Sequence, residues 1–121
     1  MSRPSDREAL LEKLQHSSEV EITVTGRKTN RKLSTPVWFT IEGRKVLIVP
    51  TKGSENQWFK NLLKNPLMEL RAGGISVSAR ASISRDSKKA ERVVGELRKK
   101  YRSMWSDSYY TKRDSCAEVE L

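Results

Sequence analysis

The segment "TGRKTNRK" puts Arg27, Lys28, Arg31 and Lys32 in one short stretch, and "TKGSENQWFK" puts Thr51, Lys52, Gly53 and Ser54 just ahead of Trp58 and Phe59. Residues of these types at these spacings are suited to holding an anion. A chain that runs from an apolar stretch through Lys-Gly-Ser into a helix offers unpaired backbone N–H groups and the positive end of the helix dipole, both of which attract phosphate. Gly53 lets the main chain come close, and Lys52 adds charge. The plain alternative is two solvated connections. They form a site only if they lie at the same end of the molecule.

Other chemistries find little support. His16 is the only histidine and Cys116 the only cysteine, so no metal cluster or Ser-His-Asp triad is expected. A lone cysteine also gives no intrachain disulfide framework and suits a reducing, cytoplasmic interior. Glu19, Glu21 and Glu42 have no histidine to work with. If this chain is an enzyme, a bound cofactor supplies the reactivity. Three aromatic features could serve a flat ligand: Trp38 in "STPVWF", Trp58 on a helix face, and the cluster Trp105, Tyr109 and Tyr110. An apolar helix face ordinarily buries its Trp in the core, so a pocket role for Trp58 is the less usual reading.

Twenty-four Lys and Arg against 15 Asp and Glu leave a net charge of +9 on 121 residues. That balance favours an anionic partner, whether nucleic acid, a membrane surface or a phosphorylated small molecule. No apolar run approaches the roughly 18 residues of a membrane-spanning helix. The length fits one compact domain over residues 1–121.

The elements that would position these residues follow from periodicity. Ser5 and Glu8 have capping-box spacing ahead of a helix bearing Leu10, Leu11 and Leu14. Val20, Ile22 and Val24 alternate with polar residues as a half-buried strand, and Val37, Phe39 and Ile41 extend a second strand over residues 33–42. Pro36 removes a ladder donor, which predicts an edge or a bulge there. Gly43 and Arg44 turn into "KVLIVP", apolar on both faces as a central strand would be. Ser54 and Gln57 mark the start of a helix over Trp58, Phe59, Leu62 and Leu63 that stops at Asn65-Pro66. A hairpin over residues 67–83 turns at Gly73-Gly74, a long helix begins at Asp86 or Ser87, and "CAEVEL" closes as a strand. The sum is an α+β fold: six antiparallel strands as a small barrel, flanked by about three helices.

The stretch over residues 25–84, and more loosely the N- and C-terminal helices, resembles the flavin and deazaflavin oxidoreductase superfamily, the split β-barrel group that includes pyridoxamine-phosphate-oxidase-like FMN proteins and deazaflavin-dependent nitroreductases. "TGRKTNRK", "TPVWF" and "WFKNLLKNP" carry the likeness. In the FMN branch the position of Trp58 is typically a lysine. The aromatic here looks like the branch that uses coenzyme F-420, whose tail bears a phosphate and several glutamates. Asn30 stands where glycine is common, and asparagine tolerates positive φ.

The resemblance implies a six-stranded split β-barrel and hydride transfer from a reduced deazaflavin, with FMN as the second choice, to a quinone, nitro compound or enone. By position, Thr51, Lys52, Gly53 and Ser54 would hold the phosphate, and Arg27, Lys28 and Arg31 would meet the tail carboxylates. Thr35, Pro36, Val37 and Trp38 would lie along the ring, Trp58 and Asn61 would finish the pocket, and Tyr109 or Tyr110 would donate to the substrate. Family members are usually homodimers. Two other readings stand beside this one. The first is a carrier of the same cofactor without rapid turnover. The second is a basic nucleic-acid-binding module, disfavoured because aromatics do not interleave with the basic runs.

Overall fold

Alternation along Val20, Ile22 and Val24 builds β1 (Val20–Thr25), which buries those three side chains and leaves Glu21, Thr23 and Thr25 half-covered. The computed structural model describes residues 4–121, and a Ser5 cap on the first helix, α1 (Pro4–Gln15), falls on a side chain outside the described part. α1 packs Leu10, Leu11 and Leu14 into the same core.

The expected second strand is two strands. Lys32–Val37 (β2) pairs with β1, whereas Thr40–Glu42 (β3) pairs with Lys45–Ile48 (β4) in another sheet. The break falls at Trp38-Phe39, and the main-chain groups of Phe39 are satisfied from elsewhere. Its N–H donates to the Tyr101 hydroxyl at 3.2 Å, and its carbonyl accepts from Lys100 Nζ at 3.0 Å. A buried side-chain partner thus replaces the ladder that a continuous strand would supply. The expected hairpin over 67–83 divides in the same way. β5 (Leu67–Ala72) and β6 (Ile75–Arg80) form the hairpin, and β7 (Ser82–Ser84) departs to the second sheet. At the bend the Ala81 N–H donates to the Pro66 carbonyl at 2.8 Å.

Two four-stranded antiparallel sheets result, in the orders β2-β1-β5-β6 and β3-β4-β8-β7, where β8 is Cys116–Glu120. The eight strands replace the expected six because two predicted strands bend and change sheet; the six-stranded barrel is not what is seen. The α+β class, the antiparallel pairing and the three helices are as expected. β4 is apolar on both faces because it is packed on both. Val46 and Ile48 join the core under α1, while Leu47 faces a second cluster with Val93, Val94, Leu97 and Tyr101.

The other helices are α2 (Gln57–Lys64) and α3 (Ser87–Lys100). Asp86 caps α3, accepting from the N–H groups of Lys88 and Lys89. Gly95 interrupts α3, and a Cβ added there meets no atom within 4 Å. Gly95→Ala should therefore raise stability by roughly 0.5–1 kcal/mol, read as a higher thermal midpoint. Among the described residues no helix is long and apolar enough to cross a membrane.

Candidate functional site

β2 is the outer strand of its sheet, so alternate main-chain groups along one side have no strand partner. Pro36 sits in it opposite Glu21 with the register unbroken, which settles the expected edge-or-bulge choice as an edge. Across from this edge lie the loop after β4 and the start of α2. Between them is a cavity of about 510 Å³ lined by Thr35, Pro36, Val37 and Trp38 on one side and Thr51, Asn56 and Trp58 on the other. Glu19, Val49, Ser108, Tyr109 and Tyr110 complete its wall. A second cavity of about 300 Å³ shares Thr35, Asn56 and Trp58 and adds Lys52, Gln57 and Asn61. The two meet at Trp58. This tryptophan is half-buried: it packs against the core and also lines both cavities.

The basic hairpin reaches the same end. Arg27 donates from its N–H and from Nη1 to Asn61 Oδ1, at 3.1 and 2.7 Å, and from Nη2 to Gln57 Oε1 at 2.9 Å. Asn61 is only 3% exposed, and Lys64 Nζ adds a contact of 3.4 Å to the Arg27 carbonyl. The hairpin and the Lys52 loop are thus joined through one helix. Lys28 and Arg31 stand exposed on the hairpin and line neither cavity, and Asn30 takes the positive φ of 60° expected of it. Among the described residues none of Arg27, Lys28, Arg31 and Lys52 is in an ion pair, whereas Arg71, Lys89 and Arg98 are. Those four are held by neutral partners or by none, whereas Lys60 and Lys112 nearby pair with Glu55.

Gly53 and Ser54 face elsewhere. Gly53 is buried at φ +58, and an added Cβ would lie 2.3 Å from Asp114 Oδ1 and 2.9 Å from the Lys112 carbonyl oxygen. The Ser54 N–H and hydroxyl donate to the Asp114 carboxylate at 2.9 and 2.7 Å. The anion at this turn is therefore the protein's own, and neither residue lines a cavity. Burial works against charge on Asp114, but Ser54, the Ser115 hydroxyl and Lys112 outweigh it and hold the carboxyl below its ordinary value. Nor does Ser54 cap α2. Asn56 precedes the helix, and its Oδ1 accepts the Lys52 N–H at 2.6 Å.

The aromatic wall is continuous. Trp38 stacks on Tyr101 at 4.2 Å and 5°, and meets the edge of Tyr109 at 5.4 Å and 79°. Trp105 stacks on Tyr110 at 5.4 Å. One face of Trp38 is therefore already covered. Burial pushes the Tyr101 phenol up to about 12 and raises Tyr110 as well. The exposed Tyr109 keeps its ring in the cavity wall. Lys100, exposed as a residue, tucks Nζ 3.4 Å from the centre of the Phe39 ring, and burial lowers its pKa to about 8.

Sequence reasoning named Gln57 and Glu19 without placing them at the site, and did not single out Asn56, Val49 or Asp114. Asn56 carried a signal, since asparagine directly before a helix is a strong N-cap candidate.

Over residues 5–121 the chain matches the family described as F420H(2)-dependent quinone reductase. The chain belongs to that family. It is a deazaflavin-dependent reductase with coenzyme F-420 as its cofactor, the first of the two expected. Solved structures share the fold of this F420H(2)-dependent quinone reductase family member. One described as an F420-H2 dependent reductase is 20% identical with a TM-score of 0.61, over 85% of this chain and 94% of the other. A conserved hypothetical protein from Mycobacterium tuberculosis is 14% identical with a TM-score of 0.70, over 100% of this chain and 79% of the other. A structure described as a domain-swapped dimer is 18% identical with a TM-score of 0.63, over 96% and 94%.

Proposed function

We propose that this reductase holds coenzyme F-420 in the β2 cleft and passes hydride to a small electrophilic acceptor, a quinone, nitro compound or enone. The observation that carries this reading is one cleft with an open strand edge and Trp58 in its middle, Lys52 at one end with the basic hairpin held nearby through Asn61, and tyrosines at the other. The lining fits the group: a flat heterocycle suits the edge main chain and an aromatic face, and an anionic tail suits Lys52 and the basic hairpin. Bound there, the reduced deazaflavin supplies the hydride.

The residues divide the remaining work. Main-chain groups of Thr35, Val37 and Trp38 meet the polar rim of the ring, Pro36 keeps the edge open, and Trp58 packs on its face. Lys52 meets the phosphate, with Thr51 beside it, and Gly53 and Ser54 shape the loop that carries them. Arg27, fixed by Asn61, and the freer Lys28 and Arg31 meet the tail carboxylates. The apolar wall keeps water from the reacting atoms and holds donor and acceptor in near-contact. The Tyr109 hydroxyl donates to the acceptor oxygen as negative charge grows there, and the buried Tyr110 holds Trp105 in the wall.

In this reading residues 1–121 form one split-barrel domain that works as a cytoplasmic homodimer. Fluorescence titration with coenzyme F-420 tests it. Wild type should bind well below about 100 μM, and Lys52→Glu should weaken binding at least about tenfold, roughly 1.4 kcal/mol. Binding no tighter than that limit, or an unchanged Lys52→Glu, defeats the reading.

A further inference from the structure

We propose that Asp114 is a positioning residue for the electron acceptor: by tying residues 105–115 to the 51–54 loop, it sets where Tyr109 and Tyr110 stand in the cleft. The inference rests on the cleft assignment above and adds a residue that lines neither cavity.

Between α3 and β8 the chain has only two short 3-10 turns, Arg102–Met104 and Asp107–Tyr109. Such a stretch has no ladder of its own to fix it. Its anchors are mostly side chains. Asp107 takes Arg98 and the Trp105 indole N–H, each at 2.8 Å, at the near end. At the far end stand the Thr111 N–H, donating to the Thr51 carbonyl at 3.0 Å, and Asp114 on Ser54. The two tyrosines sit between these ends. Asp114 takes two hydrogen bonds from Ser54, as Asp107 takes two at the near end, and Gly53 is pressed against it with no room for a Cβ.

The loop on the other side has anchors of its own besides Asp114. The Gly53 N–H donates to the Pro50 carbonyl at 2.9 Å, the Asn56 N–H to the Gly53 carbonyl at 3.1 Å, and the Lys52 N–H to Asn56 Oδ1 at 2.6 Å. Loss of the Asp114 contact therefore falls on the acceptor wall and leaves Lys52 where it was.

The test uses full-length protein loaded with reduced coenzyme F-420 and menadione as acceptor. Asp114→Ala should raise the KM for menadione about tenfold while the Kd for the coenzyme stays within about twofold of wild type. Asp114→Asn keeps the length and an acceptor for the Ser54 N–H, so it should restore KM to within about threefold. Asp114→Glu keeps the charge but is too long for the space at Gly53, so it should behave like alanine. Quenching of tryptophan fluorescence by menadione gives the same ranking without turnover. A general loss of folded protein would lower kcat at constant KM; that pattern, a coenzyme Kd that weakens in step with KM, or no rescue by asparagine would overturn the inference. Failure of wild type itself to bind the coenzyme strikes the cleft assignment instead, and the quenching series still decides the role of Asp114.

Discussion

Asn61→Ala should lower stability by roughly 2–3 kcal/mol and weaken coenzyme binding at least about tenfold. The carbonyl of Asn61 is the only link in α2 that accepts both the main chain and the guanidinium of Arg27, and it does so while almost fully buried. Alanine leaves two donors, one of them charged, without their acceptor in a place that water reaches poorly. Gln57 alone then holds the guanidinium, and the hairpin carrying Lys28 and Arg31 loosens from the helix. Urea denaturation measures the first effect and fluorescence titration of the coenzyme the second. A variant that loses stability but binds normally would show that the hairpin does not serve the tail.

Gly53→Ala is the second large effect expected, a loss of about 1–3 kcal/mol. Two costs act together. The backbone at φ +58 is poorly tolerated by a residue with a side chain, and the new methyl would meet the Asp114 carboxylate at 2.3 Å. Relief requires moving Asp114, so the variant should also raise the acceptor KM. A thermal melt and menadione kinetics on one preparation check both.

Much of the frame was legible because it is local. Val20, Ile22 and Val24 announce a half-buried strand, Gly73-Gly74 a tight turn, and Asp86 a helix start, each within a few residues. The two bends were not legible, because Val37, Phe39 and Ile41 keep their alternation straight through the break. What stops the strand is a hydroxyl 62 positions away, on Tyr101. The site divides along the same line. The cations and the edge proline are visible as residue types, and the link between hairpin and helix was open until Arg27 was seen on Asn61. Gly53 and Ser54 read as a cradle for a ligand phosphate, but the structure fills that turn with a carboxylate from 60 positions downstream. No spacing rule reaches that far.

The strand order of the second sheet bears on biosynthesis. Every strand of the first sheet has been translated by Arg80, so it can assemble while the ribosome is still at work. The second sheet cannot, because β8 lies between β4 and β7 and is made after both. A nascent chain halted before residue 116 would carry one finished sheet beside an unfilled slot, with β4 and β7 each exposing a sticky flank. Closure of the second sheet in this reductase therefore waits on β8, after the first sheet already has all its strands.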